Sequence, residues 1–436
     1  MTLDDRRPVG ALPSVHEAWL PREHSLHRPR HGKRQLTALV CALVFFSAPA
    51  FMWLFGMRPT ELENHELASF PNPLDGWQFF AGLDPWATDN LVFREEAIQA
   101  ADWVSRSLFG EPAPFDQGGG PPGAPLPGGP EDNGPDQPGG QEESAGYSRV
   151  IEGRDGWMYL GLDTSNKCLP KQPIEQSVRQ LAALRDAVEA SGRQFMLVVV
   201  PDKTTMVPEY LPDTYPGKKC AGEASRELWH ELSARAGAID MRPVLQAASD
   251  VVKRPLYFPL DSHWTDEGAL TMVRQIADRI DDGVSADWRI VRAGTRTADA
   301  DLPRLIGKRG ENRATNFRLR PDGWTDRTGP HLQDPRKPVR RTSTPIDGMV
   351  RERTLVLGDS FMLPASAYMS AAFADVTQLY YNMIESDPAM VAATIADNEV
   401  VVMEIVERNV ALGTPAMLDS DFIDRLRQEL KKHPIR

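Results

Sequence analysis

Two short motifs put a serine, a histidine and a carboxylate in the same chain. Asp261-Ser262-His263-Trp264 follows one apolar run, and Gly358-Asp359-Ser360-Phe361 follows another. A serine hydroxyl is a weak nucleophile at neutral pH, and it becomes effective when an imidazole accepts its proton and a carboxylate holds that imidazole in one tautomer. Ser360, His263 and Asp261 therefore have the side-chain chemistry for acyl transfer.

The segment around Ser360 is typical of a strand-to-helix turn. The apolar residues 354–357 predict a buried strand that runs into Gly358, and a helix is predicted from Pro364 onward. A serine at such a turn lies near unpaired backbone N–H groups, and the helix dipole favours the negative charge of a tetrahedral intermediate.

Each motif is a weak signal by itself, because short motifs often occur without the associated function. Gly-Asp-Ser is a common turn tripeptide. In the other motif, Asp261 and Thr265 can simply cap a helix that starts at Asp266, with Trp264 filling the core. The prediction of catalysis depends on both motifs and on their context.

That context resembles the alginate O-acetyltransferases of the AlgX and AlgJ type, which are SGNH-hydrolase-like acyltransferases. In this family the Asp-x-His motif precedes the serine motif, the reverse of ordinary SGNH esterases, and the chain has the same permuted order. The resemblance extends from about Asn64 to the C-terminus. It is carried by four segments, at residues 150–157, 200–204, 261–265 and 358–361.

The resemblance implies Ser360 as nucleophile, His263 as general base and acid, and Asp261 as the orienting carboxylate. It also implies an oxyanion hole that includes the Ser360 backbone N–H and the side-chain amide of Asn382, which follows a predicted strand. The alternative for Asn382 is a residue that ends a strand in a turn, a position where asparagine is favoured.

Two basic residues follow other apolar strands at places where the family also keeps basic residues. The resemblance implies that Lys203 and Arg408 contact an anionic or hydroxyl-rich substrate, and solvated surface charge is the alternative. The chain has no Cys-x-x-Cys, His-Glu-x-x-His or acidic calcium-loop motif. We therefore expect no metal and no cofactor.

The N-terminal region predicts a membrane anchor. From Leu36 to Phe55 no residue is charged, and about 20 apolar residues suffice for a transmembrane helix. Basic residues precede this run and acidic residues follow it, so the positive-inside rule places the N-terminus in the cytoplasm and the rest outside. A cleaved signal peptide is the alternative, supported by Ser47-Ala48-Pro49-Ala50 but disfavoured by the length of the run.

Two of the three cysteines, Cys168 and Cys220, lie outside the apolar run that contains Cys41. An even number of cysteines in an oxidising compartment predicts a disulfide between them. Two separate buried thiols are the alternative, because the sequence does not reveal the distance between the Cα atoms. The formal net charge of -12 disfavours a nucleic-acid partner.

Apolar strands alternate with amphipathic helices after residue 147, which predicts an α/β fold with a parallel sheet covered on both faces. With the resemblance, this is an SGNH-hydrolase-like three-layer fold. Helices are expected at 176–190, 224–236, 266–280 and 419–431, and strands at 195–200, near Ile239, and at 256–258, 354–357, 376–381 and 400–405.

Composition divides the chain into five regions. They are a basic tail (1–35), the anchor (36–57), a helical lead-in (58–110), a disordered Gly/Pro-rich linker (111–146) and the acyltransferase domain (147–436). Residues 284–352 within that domain are predicted to form an irregular or antiparallel insertion, because they are polar and contain many prolines.

Together with these features, the resemblance implies an extracytoplasmic O-acetyltransferase that acetylates hydroxyls of a cell-surface or secreted polysaccharide. The resemblance also implies a polytopic membrane acyltransferase partner, because acetyl-CoA is cytoplasmic. An extracellular carbohydrate esterase and a non-catalytic polysaccharide-binding scaffold are the alternatives.

Overall fold

The computed structural model describes residues 33–55, 146–306 and 308–435, together with 19–21, 23–24 and isolated positions between 70 and 107. Most of the predicted lead-in and almost all of the predicted linker lie outside these residues. The chain divides into two compact units. One comprises Met1–Thr60 and Asn90–Phe93, and the other comprises Glu61–Asp89 and Arg94–Arg436.

The first unit contains helix α1, Lys33–Leu54. Among the residues that the structure describes, no helix is long and apolar enough to cross a membrane. The anchor at 36–57 stays a prediction from the sequence.

A six-stranded sheet forms the centre of the second unit. Its strands are β3 Gln194–Val200, β4 Ile239–Asp240, β7 Val339–Thr342, β8 Thr354–Gly358, β9 Asp375–Tyr380 and β10 Val400–Val406. They lie in the order β4-β3-β10-β8-β9-β7 and run parallel except β7, which pairs antiparallel with β9 at one edge. The predicted α/β fold with a mostly parallel sheet is confirmed.

Helices cover both faces of this sheet. The longer ones are α3 Ile174–Glu189, α5 Lys218–Glu231, α6 Arg242–Val252, α7 Asp266–Ile280, α9 Met362–Ala372, α11 Pro388–Ala396 and α13 Ser420–Lys432. The shorter ones are α2 Leu162–Cys168, α4 Lys203–Met206, α8 Asp301–Leu305, α10 Met383–Ser386 and α12 Glu407–Leu412.

Alternate residues of β3 enter two separate apolar clusters. Met196, Val198 and Val200 pack with α6, α7 and α9 on one face, and Phe195, Leu197 and Val199 pack with α3, α5 and α13 on the other. Successive side chains of a strand point to opposite faces, so an uninterrupted apolar strand buries both of them. The result is a three-layer arrangement.

Two small antiparallel sheets complete the unit. One consists of β1 Val150–Glu152 and β2 Met158–Leu160, and the other of β5 Arg289–Asp299 and β6 Glu311–Arg320. We call the segment 289–320 the insertion hairpin. It lies within the polar segment 284–352.

The strand predicted at 256–258 is wrong. Tyr257 makes only an isolated bridge to Trp264, and the Thr265 N–H donates to the Leu256 carbonyl at 2.6 Å. The chain therefore doubles back within a few residues and cannot extend along the sheet. We call residues 259–263, at the tip of this reversal, the triad turn.

Candidate active site

Ser360 lies two residues after the end of β8 and two residues before the start of α9. A Cβ at Gly358 would lie 2.6 Å from a carboxylate oxygen of Glu404 and 2.8 Å from Cβ of Met362. Only glycine fits this close approach, since such contacts are too short for any side chain. The predicted strand-to-helix turn is therefore present.

Asp359, to which the sequence assigns no role, holds this turn against the neighbouring strand β10. Its two carboxylate oxygens accept hydrogen bonds from the N–H groups of Phe361 and Val406, each at 3.0 Å. The Asp359 N–H donates to the buried Glu404 side chain at 3.0 Å. These bonds hold the backbone on both sides of Ser360.

His263 bridges the two motifs. Its Nε2 lies 2.6 Å from Ser360 Oγ, and its Nδ1 lies 2.7 Å from Asp261 Oδ1. The indole N–H of Trp264, which is fully buried, donates to the Phe361 carbonyl at 3.1 Å. The structure thus brings Ser360, His263 and Asp261 into one chain of hydrogen bonds.

Trp264 does fill the core, as the alternative interpretation expects. Thr265 occupies the N-cap position of α7, but its side chain makes no capping hydrogen bond. Asp261 is directed at the imidazole and accepts from the His263 N–H at 3.0 Å. The capping interpretation does not account for the position of the Asp261 carboxylate.

The second oxygen of Asp261 is held by the insertion hairpin. Asn312 Nδ2 donates to Asp261 Oδ2 at 2.9 Å, and the Asp301 N–H approaches the same oxygen at 3.4 Å. Burial raises the pKa of Asp261, but its bonds with His263 outweigh this and leave the pKa below the usual value. Asp261 is therefore ionised at neutral pH and can orient the imidazole.

Asp301 is a second carboxylate beside the histidine. Its oxygens accept hydrogen bonds from the N–H and the hydroxyl of Ser262 at 2.9 and 2.5 Å, and Oδ2 lies 3.6 Å from His263 Nδ1. Burial and repulsion from Asp261 raise the pKa of Asp301 to about 6. Asp301 and Asn312 belong to no sequence motif and lie 40 and 51 residues from Asp261, so they were not predicted from the sequence.

Within the described ranges, one group of side chains has the spacing of possible metal ligands. It consists of Asp261, His263 and Asp301, whose ligand atoms lie within 4.8 Å of one another. A metal ion on Nδ1 of His263 would displace the proton that this nitrogen shares with Asp261. Metal binding and the hydrogen-bonded triad exclude each other, and we do not assign a metal site here.

Lys203 supports the triad turn from inside the protein. Its ammonium donates to the carbonyls of Met158, Pro259 and Asp261 at 2.6, 2.9 and 2.9 Å, and it is 1% exposed. Burial lowers the pKa of Lys203 to about 7, while the carboxylates of Asp261 and Asp301 favour the charged form. The alternative of a solvated surface charge is therefore wrong for Lys203. All three N–H groups of the ammonium donate to these carbonyls, so none remains for the predicted contact with substrate.

Arg408 is also buried, with 1% exposure, so surface charge is wrong for this residue as well. Its guanidinium lies 3.2 Å from Asp202 and 3.5 Å from Asp163, and it stands over the ring of Phe361 at 5.5 Å. Arg408 packs behind the residue that follows Ser360. The predicted contact with substrate finds no support in this position.

Asn382 immediately precedes α10, at the end of β9. The neighbouring Tyr381 N–H donates to the Gly358 carbonyl at 3.1 Å, so Asn382 lies close to the end of β8 that carries Ser360. Its role in an oxyanion hole stays a prediction.

Cys168 and Cys220 form a disulfide that joins α2 to α5, as predicted, with a Cα–Cα distance of 5.7 Å. Lys167, the residue next to Cys168, pairs with the buried carboxyl groups of Asp202 and Glu407, and Asp202 also pairs with Arg408. The disulfide therefore anchors α2, the helix that contributes Lys167 to this group of buried charges behind the site.

The site is a Ser–His–Asp arrangement on a three-layer α/β fold, the class to which SGNH hydrolase-like enzymes belong. Residues 150–361 match the family model described as "SGNH hydrolase-like domain, acetyltransferase AlgX". These residues resemble the AlgX/AlgJ SGNH hydrolase-like acetyltransferases, and the chain is a distant homologue of alginate O-acetylase AlgJ. The resemblance predicted from the motifs is confirmed.

Curated relatives include the probable alginate O-acetylase AlgJ of Pseudomonas syringae pv. tomato, 29% identical over 133 residues, or 30% of this chain and 33% of that protein. The corresponding protein of Pseudomonas fluorescens is 28% identical over 138 residues, or 30% of this chain and 34% of that protein. The match spans about a third of the length of these relatives.

Solved structures similar to this chain include the O-acetyltransferase domain of Pseudomonas putida AlgJ, with a TM-score of 0.43, 16% identity, and coverage of 64% of this chain and 98% of that one. Bacillus cereus PatB1 with a sulfonyl adduct has a TM-score of 0.43 and 17% identity, and the match covers 61% of this chain and 98% of that one.

Proposed function

We propose that the protein is an extracytoplasmic O-acetyltransferase that acetylates hydroxyls of a cell-surface or secreted polysaccharide. The observation that carries the proposal is the hydrogen-bonded chain from Ser360 through His263 to Asp261 in a domain of the AlgX/AlgJ family. Transfer proceeds through an acetyl-serine at Ser360.

In the first half-reaction Ser360 Oγ attacks the carbonyl carbon of an acetyl donor while His263 Nε2 takes the hydroxyl proton. Backbone N–H groups at the start of α9 stabilise the oxyanion of the tetrahedral intermediate. The bond between the acetyl carbon and the donor then breaks, and the leaving group departs with the proton from His263. Asp261 stabilises the imidazolium throughout.

In the second half-reaction a sugar hydroxyl attacks the acetyl-serine. His263 takes the proton of this hydroxyl, and the acetyl carbon forms its new bond to the sugar oxygen. The bond to Ser360 breaks, and Oγ recovers a proton from His263. Water at the same position gives hydrolysis, so the triad chemistry is common to transferases and esterases.

We place this domain outside the cytoplasm, with the N-terminus cytoplasmic and residues 36–57 as the segment of membrane attachment. The Cys168–Cys220 disulfide supports this location, since disulfides persist in oxidising compartments. The acetyl donor is then a polytopic membrane acyltransferase. Thiol trapping in intact cells tests the location: a disulfide supports it, and two free thiols count against it.

The test of Ser360 is intact-protein mass spectrometry of the full-length protein after incubation with an activated acetyl ester, beside the Ser360→Ala variant. We expect a transient gain of one acetyl group in the unaltered protein and none in the variant, because alanine has no nucleophilic oxygen. Ser366→Ala, in α9 but beyond the triad, is the matched control and keeps the adduct.

Adding candidate polysaccharides to the acetylated protein distinguishes transfer from hydrolysis. Acetyl recovered on the glycan supports a transferase, whereas acetate alone supports a carbohydrate esterase. An unchanged cellular function in Ser360→Ala, combined with absence of any adduct in a folded wild-type protein, would reject catalysis in favour of a scaffold.

A further inference from the structure

The insertion hairpin docks directly on the triad turn. Where β5 ends, the Leu302 N–H approaches the Leu260 carbonyl at 3.4 Å, and the Ser262 N–H donates to Asp301 at 2.9 Å. On the returning strand, Asn312 reaches Asp261 at 2.9 Å. A segment that composition marks as polar and irregular therefore supplies the outer contacts of the triad.

Asp301 differs from the other supporting groups because it places a charge beside the imidazole. The Ser262 hydroxyl lies 3.3 Å from His263 Nδ1 and donates to Asp301 Oδ2, which is itself 3.6 Å from Nδ1. The Asp301 side chain is 25% exposed, so solvent screens the charge only in part.

The titratable groups that face Asp301 are Asp261 and His263 on the triad turn and Lys203 on α4. On its own segment, the nearby Asp299 and Arg304 pair with each other at the surface. An ionised Asp301 repels Asp261 and attracts a protonated His263. Its charge therefore acts most strongly on the state in which the histidine has taken a proton.

We propose that Asp301 is a positioning residue for the histidine: it holds the triad turn through Ser262 and adds a second negative charge that stabilises the imidazolium. The inference rests on the proposed catalytic role of Ser360 and His263. Asn312 also holds the site, by donating to the Asp261 carboxylate, but it adds no charge.

The proposal predicts how the rate depends on pH. Asp301→Asn keeps the size of the side chain and removes the negative charge, so protonation of the histidine becomes less favourable. We expect the acidic limb of kcat/KM to move to lower pH by about one unit, and turnover at pH 8 to fall by about tenfold. A purely structural role would lower the rate at every pH without moving the limb.

The measurement is the pH–rate profile of the full-length protein with an activated acetyl ester, for the wild type, Asp301→Asn and Asp299→Asn. Asp299 lies on the same hairpin with its side chain 68% exposed, and its variant should leave the profile unchanged. An Asp301→Asn profile with the wild-type acidic limb would overturn the proposal.

One further readout does not depend on activity. The NMR titration midpoint of the His263 ring, assigned with His263→Gln, should fall in Asp301→Asn. If the wild type lacks Ser360-dependent turnover, the proposed function fails and this midpoint alone decides the inference.

Discussion

Asp261 uses both of its carboxylate oxygens within the protein. Oδ1 accepts from the backbone and the ring of His263 at 3.0 and 2.7 Å, and Oδ2 accepts from Asn312 at 2.9 Å. Its own carbonyl accepts from Lys203 at 2.9 Å. These contacts fix the carboxylate in one orientation, which sets the Nδ1–H tautomer of His263 and leaves Nε2 free of a proton for Ser360.

At the residue scale we predict that Asp261→Asn lowers turnover by roughly 10⁴-fold with little change in fold. The amide of the variant can donate to Nδ1, which favours the histidine tautomer with its proton on Nε2. A protonated Nε2 cannot accept the proton of Ser360. Steady-state kinetics with an activated acetyl ester measure the loss. Asp250→Asn, an exposed change on α6, should keep full activity, and an active Asp261→Asn would remove Asp261 from the mechanism.

At the scale of elements, a buried charge cluster joins α2, α4 and α12 behind the site. Lys167 lies 2.7 Å from Asp202 and 2.9 Å from Glu407, and the Asp202 N–H donates to Glu407 at 2.9 Å. Three carboxyl groups, counting Asp163, face two cations, Lys167 and Arg408. Burial and repulsion from Asp163 raise the pKa of Asp202 to about 8, whereas Glu407 has a lowered pKa because its pairing with Lys167 outweighs burial.

The cluster connects to the triad through the backbone. Asp202 immediately precedes Lys203, the residue that binds the carbonyls of Pro259 and Asp261. Since the folded state keeps Asp202 protonated up to about pH 8, it binds more protons than the unfolded state from about pH 4 to pH 8. The contribution of Asp202 to stability therefore decreases as pH rises through this window.

We predict that Lys167→Met lowers the free energy of unfolding by about 3–5 kcal/mol at neutral pH, because it leaves the buried Glu407 carboxylate without the cation that it pairs with. The loss should be larger at pH 9 than at pH 5, where Asp202 is protonated. Urea unfolding at both pH values measures it. The control Lys219→Met removes a side chain that is 91% exposed and should change stability by less than about 0.5 kcal/mol. Equal losses in the two variants would contradict the prediction.

At the scale of the whole molecule, the disulfide connects parts of the chain that the sheet does not join directly. Cys168 and Cys220 are separated by 52 residues, and their helices α2 and α5 pack beside α12. Cross-linking a loop of this length removes conformational freedom mainly from the unfolded chain. The bond therefore stabilises the layer behind the triad.

Replacing both Cys168 and Cys220 by serine should lower the free energy of unfolding of the second unit by about 4 kcal/mol, from the loop-closure entropy. Chemical denaturation of the full-length protein under non-reducing conditions measures this change. Cys41→Ser removes an exposed free thiol and should have no effect. A double variant as stable as the wild type would show that the disulfide does not constrain the unfolded chain.

The sequence by itself determined the local elements and the triad candidates. Helical periodicity predicted α7 with its observed bounds, Asp266–Ile280, and apolar runs located β3, β8, β9 and β10 to within a residue or two. These signals are local, because the 3.6-residue and two-residue periods record which face each element buries. The two motifs identified Ser360, His263 and Asp261 because each motif lies within four consecutive residues.

Only the tertiary structure decided which distant residues complete the site. Along the chain, Asp301 lies 40 residues and Asn312 lies 51 residues from Asp261. Both residues reach the triad only because the insertion hairpin docks on the triad turn. Lys203 and Arg408 look like surface charges in sequence but are buried by the segments that pack over them. Burial and pairing of a charged side chain depend on neighbours far along the chain, whereas sequence periodicity records only local alternation.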